Sequence, residues 1–133
     1  MKGTKEDLIK YRINRAHETL EDARILANEG RWNSVINRLY YAAFYAVIAL
    51  LLHIHKHSST HSGTMSNFSQ YFIKTNLIDK SFGKLYSELF ASRHKGDYGD
   101  LFDFDEEKLS PFFEPVESLI KAIEKHIADN PES

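Results

Sequence analysis

The sequence predicts an all-α protein, an antiparallel up-and-down bundle of four main helices plus a short helix. Three observations predict it. Apolar residues recur by threes and fours along most of the chain, no stretch alternates as a strand would, and capping residues and glycines fall where the periodic stretches begin and end. The 133 residues are the size of one domain, taken as 1–133 with a core over about 5–127.

Thr4, followed three residues later by Asp7, opens the first helix, in which Ile9, Ile13, Ala16, Leu20, Ala23 and Ala27 form one apolar stripe ending near Gly30. A second helix starts around Trp32 to Ser34 and carries Val35, Ile36, Leu39, Tyr40, Ala43, Phe44, Val47, Ile48 and Leu51. Its apolar residues cover most of the circumference, so it is expected at the centre. His53 to His61 loses periodicity and reads as a helix end plus loop. A third, shorter helix follows His61-Ser62-Gly63, with Met65, Phe68 and Phe72 on one face, and ends near Asn76. Asp79 or Ser81 caps the fourth, which carries Phe82, Leu85, Tyr86, Leu89 and Phe90 and is expected to break at Gly96 and Gly99. After the acidic aromatic loop Leu101 to Asp105, a last helix carries Leu109 to Ile127, with Pro111 and Pro115 predicting a late start or a kink. Asp129 to Ser133 reads as a frayed tail.

The 17 basic and 19 acidic residues leave a net charge of −2, so no bulk positive field would hold nucleic acid, and any such contact must be local or supplied by a dimer. With no cysteine, disulfides and thiolate chemistry are excluded. The longest apolar run, Ala42 to Leu52, falls short of the roughly 18 residues of a membrane span and reads as core. Met1 to Asp7 holds no apolar segment, so a cytoplasmic protein without membrane contact is expected. His53, His57 and His61 are spaced by four, but Ser58-Ser59-Thr60 interrupts them and no acid completes a ligand set, so no metal site and no cofactor are expected.

Arg93-His94-Lys95-Gly96-Asp97-Tyr98 concentrates a permanent cation, an imidazole, a carboxylate and a phenol in six residues. A guanidinium suits phosphate, while His, Asp and Tyr move or anchor protons. Arg93, His94, Asp97 and Tyr98 are therefore the candidate catalytic residues. Arg38 and Tyr41 on the apolar second helix, His61 and Ser62 at a helix start, and Arg93 again are candidate nucleotide or phosphate-binding residues. The bland alternatives are an Arg93–Asp97 pair, an acid on a neighbouring helix for Arg38, an ordinary cap at His61, and core packing for Tyr40.

Asn37-Arg38-Leu39-Tyr40-Tyr41-Ala42-Ala43-Phe44, then His61-Ser62-Gly63, then Arg93 to Tyr98 together resemble the HEPN family, the higher eukaryotes and prokaryotes nucleotide-binding domain. The likeness is to its small stand-alone prokaryotic members and spans about Leu8 to Ile127. It implies a helical bundle that dimerises and a toxin that cleaves RNA without metal, paired with a minimal nucleotidyltransferase antitoxin. The family motif is an arginine, then a small polar residue or histidine, then a histidine after four to six intervening residues. Arg93 and His94 match its start, and Tyr98 stands in place of the terminal histidine. Two readings stay open: a toxin-type protein that binds RNA and acts as a metal-independent ribonuclease, and a noncatalytic nucleotide-binding or nucleotidyltransferase-docking module. Tyr98 is in addition a candidate acceptor of a transferred nucleotide.

Overall fold

The computed structural model describes residues 3–98 and 103–131, with Asp97 and Tyr98 described by backbone alone. The described residues are all-α, without a strand. Helix α1 spans Lys5–Asn28, and the Thr4 hydroxyl accepts the Asp7 N–H at 3.0 Å while Glu6 and Asp7 complement the dipole of its first turn. The predicted stripe is buried from Ile9 to Ala23.

Helix α2, Trp32–His53, is the centre. Val35, Leu39, Tyr40, Val47 and Leu50 are fully buried, as are Ala42, Ala43, Ala46 and Ala49. The alanines let α1 and the later helices approach on several sides, which is how one helix buries most of its circumference. By length and composition α2 could cross a bilayer, but 61% of the apolar window is buried within the fold.

Three helices end in the same closure. After α1, Gly30 (φ 72°) donates its N–H to the Ala27 carbonyl at 3.0 Å, and Arg31 donates to Leu26 at 2.9 Å. After α2, His55 (φ 63°) and Lys56 donate to Leu52 at 2.9 Å and Leu51 at 2.8 Å. Asn76 (φ 63°) and Leu77 do the same onto Ile73 and Phe72. Each is a Schellman motif with one left-handed residue.

Helix α3, His61–Phe68, starts before Gly63 instead of after it, because Thr60 caps it by accepting the Gly63 N–H at 2.9 Å. A side chain at Gly63 would collide with Ser58 and Thr60. One π turn, Ser69–Ile73, continues α3, and it leaves Phe68 and Phe72 both buried against the core.

Helix α4, Lys80–Tyr98, is capped by Asp79, whose carboxylate accepts the Ser81 N–H at 3.0 Å. The break predicted at Gly96 does not occur: the whole hexapeptide is helical. Gly96 serves instead to admit a ring, since a Cβ there would lie 2.8 Å from Phe104. The Phe104 N–H is held by Asn33 Oδ1 at 2.8 Å, tying this returning segment to the start of α2. The break expected at Gly99, the Leu101-Phe102 part of the acidic loop and the chain end at 132–133 lie outside the described residues. Pro111 falls in a 3-10 turn, Ser110–Phe112, between the short α5, Glu106–Leu109, and α6, Phe113–Asp129, as a kink requires. Val116, Leu119, Ile120 and Ile123 of α6 seal the core.

Because only glycine takes the left-handed position without strain, Gly30→Ala is expected to cost about 1–2 kcal/mol, whereas Asn76→Gly is expected to be neutral or slightly stabilising. Urea unfolding of the two variants beside the native chain checks this pair of opposite signs.

Candidate functional site

On α2, Arg38, Tyr41 and Tyr45 follow one another at helical spacing along the flank where the core meets the surface, with Tyr40 and Phe44 just inside it. Tyr40 is fully buried, with its ring 5.1 Å from Tyr41, 5.9 Å from Phe44, 5.8 Å from Tyr86 and 6.2 Å from Phe90, centre to centre. A buried tyrosine needs a partner for its hydroxyl. Here Tyr40 Oη lies 2.8 Å from Nδ1 of His61, the first residue of α3, whose imidazole packs 4.7 Å from Phe44.

Helix α4 brings Arg93 onto this cluster. Its guanidinium carbon is 5.2 Å from the Tyr40 ring centre and 5.5 Å from that of Tyr41. Arg38 lies 5.5 Å from the same Tyr41 ring, and Asn37 Oδ1 accepts its Nε and Nη2 hydrogens at 3.2 and 2.8 Å. From α1, Arg15 stacks at 5.2 Å on Tyr45. Three helices thus each set an arginine on a tyrosine of α2, an arrangement of cation and π-face that suits phosphate and unstacked bases.

Electrostatics follow from burial. Partial burial, and then the nearby Arg93 charge, push the His61 pKa below its ordinary 6.5, so the imidazole is neutral at pH 7. Burial raises the Tyr40 phenol above its ordinary value, so it stays protonated. Tyr86 is raised further, again by burial, and among the described residues its hydroxyl, beside Tyr40, has no partner in hydrogen-bond geometry.

Of the residues singled out from sequence, Arg38, Tyr41, His61 and Arg93 gather around Tyr40. Arg38 takes its neighbour Asn37 and the Tyr41 ring in place of the acid expected from another helix. Ser62 is exposed at the second position of α3. His94 is exposed on α4, turned about 100° from Arg93. The backbone of Asp97 and Tyr98 is in the last turn of α4, and their side chains lie outside the described residues. Tyr40 packs in the core as expected, but its link to His61 is not visible from sequence. The available signal was a tyrosine, rather than a phenylalanine, at a position facing the core.

A family model described as HEPN domain matches residues 9–126. The chain is 43% identical to a UPF0332 protein of Thermotoga maritima over 125 residues, 94% of this chain and 95% of that one. Two proteins of Methanocaldococcus jannaschii are also similar, each carrying the name putative toxin. One is 32% identical over 72% of this chain and 65% of its own, the other 29% identical over 91% of this chain and 90% of its own.

His61 and His126 both have folded pKa values lowered by burial from 6.5. As pH falls below 6.5 the unfolded chain takes up these protons first, so stability is full above 6.5 and declines below it. Arg93→Gln removes one cause of the His61 shift. NMR titration of the imidazole should show its pKa rising toward 6.5, and the acid-induced loss of stability should shrink.

Proposed function

The chain belongs to the HEPN domain family, and from that premise we propose that it is a toxin-type protein that binds RNA on the Tyr40–Tyr41–His61 face and cleaves it without a metal ion. The observation that carries this reading is a neutral imidazole bonded to a buried phenol, with an arginine stacked on that same phenol ring. The names of the two archaeal relatives support the toxin part.

Cleavage needs a base for the 2'-hydroxyl, a cation for charge developing on phosphorus oxygens, and an acid for the departing 5'-oxygen. With Nδ1–H donated to Tyr40 Oη, His61 Nε2 keeps a free lone pair and takes the 2'-hydroxyl proton. The 2'-oxygen then bonds to phosphorus, the bond from phosphorus to the 5'-oxygen breaks, and Arg93 stabilises the added negative charge. His94, on the exposed side of α4, is the candidate acid, with the Tyr98 phenol as an alternative donor and Asp97 orienting either. Arg38 and Tyr41 hold the neighbouring phosphate and base, and Ser62 lies beside His61 at the start of α3. A homodimer in the cytoplasm, with a minimal nucleotidyltransferase as antitoxin and Tyr98 as the acceptor of any transferred nucleotide, completes the reading.

One observation favours a second reading, a noncatalytic nucleotide-binding or nucleotidyltransferase-docking module: Tyr98 stands where the family motif has its histidine. RNA cleavage in excess chelator separates the two. The native protein is expected to cut single-stranded RNA, with His61→Gln about 10²–10⁴-fold slower and Arg93→Ala slower by about 10²–10³-fold. Binding without cleavage would establish the second reading, and loss of both activities in the native protein would sink the RNA assignment.

A further inference from the structure

Arg12, on the second turn of α1, differs from the stacked and paired arginines around it. It is half-buried, and among the described residues its guanidinium has no hydrogen-bond, ion-pair or ring partner. By contrast Arg15 has Tyr45 and Glu18, Arg24 has Glu117, and Arg38 has Asn37. Withdrawing a permanent charge from water without compensation is unfavourable, and burial indeed lowers the pKa of this group. Among the described residues, then, nothing offsets this charge.

The guanidinium lines a small recess of about 100 Å³ between α1, α2 and the loop that follows α2. Lys56, His57 and Ser58 form its polar side, Phe44 and Ile48 belong to its apolar wall, and among the described residues no carboxylate lines it. The polar side is built by the backbone. The closure after α2 bonds the Lys56 N–H to Leu51 and swings residues 56–58 across toward α1. Gly63 then lets Ser58 and Thr60 settle against the start of α3, where Ser58 Oγ accepts the Thr60 N–H at 3.3 Å. The Lys56 ammonium is steadied 4.8 Å from the Tyr71 ring centre. At roughly 30 Å³ per water in the liquid, the recess has room for about three waters or one tetrahedral anion.

We propose that this recess is a phosphate-binding site, with the Arg12 guanidinium as the fork and Lys56 as the second cation. It is distinct from the Tyr40–His61–Arg93 cluster, from which the Phe44 ring separates it. The site does not require that the protein cut RNA. The phosphate is either free, as the inorganic ion, or carried at the end of a nucleic acid strand, since both present the same tetrahedral anion to a planar fork.

Titration of the full chain with inorganic phosphate, followed by calorimetry and by NMR of the arginine side-chain N–H groups, tests this. Saturable binding to the native chain is expected, weakened about tenfold or more by Arg12→Gln, less by Lys56→Gln, and unchanged by Lys121→Gln on the exposed face of α6. Arg12→Gln removes an uncompensated charge, so it should melt no lower than the native chain while losing the stabilisation that phosphate confers. A pair of short oligoribonucleotides, one with a 5'-phosphate and one with a 5'-hydroxyl, separates the two sources. Preference for the phosphorylated strand that Arg12→Gln abolishes assigns the site to nucleic acid ends, and equal binding of the pair beside saturable inorganic phosphate assigns it to the free ion. Either upholds the site. Absence of saturable phosphate binding, or equal binding by Arg12→Gln, overturns it, and neither result bears on the role of Arg93.

Discussion

Everything in this structure depends on burying α2 on nearly all sides. Its mean composition is that of a core, and a helix of that kind is stable in water only when other helices cover it. The four fully buried alanines make the covering possible, because they let neighbouring backbones come close, while Leu39, Tyr40, Val47 and Leu50 fill the layers between. Helix α1 takes the largest share, and α4 and α6 pack on other sides. At about 1.5–3 kcal/mol for each large apolar side chain removed from water, this single helix organises most of the favourable free energy of the fold.

The candidate site is a by-product of the same constraint. Where the cover of α2 runs out, aromatic rings rather than aliphatic side chains face the boundary, and their polar tips reach outward. Arginines from α1, α2 and α4 settle on those rings. Glu18 pairs with Arg15 at this boundary, while Glu117 and Glu124 serve Arg24 and His17 on the α1–α6 side. A chain with a net charge of −2 thus still gathers three arginines on one aromatic boundary.

Much of this was legible from residue order. The central position of α2 followed from apolar residues around its whole circumference, and Gly30 and Asn76 marked helix ends because left-handed closure favours those residues. The proline kink before α6 was equally plain. Gly96 misled, since the reason for a glycine there is a ring arriving from Phe104, and a long-range contact leaves no trace in local pattern. For Arg38 residue order suggests a phosphate or a neighbouring acid; within the described residues an amide oxygen one residue away and a ring three residues on hold it. The Tyr40 hydroxyl was hidden for a related reason: periodicity reports which way a side chain points, and says nothing of what meets its tip from another helix.

The tight closure at Gly30 has a consequence for how the protein comes into being. It joins the two helices that share the most extensive packing, so the first 53 residues form a local hairpin with few long loops to close, the kind of contact that forms fastest. Synthesis delivers that hairpin first. Arg93 arrives on α4, some forty residues later, and only then are the tyrosines of α2 roofed by all three arginines. That surface is therefore complete only once α4 is in place, and a chain that stops before Arg93 lacks one of its three cations.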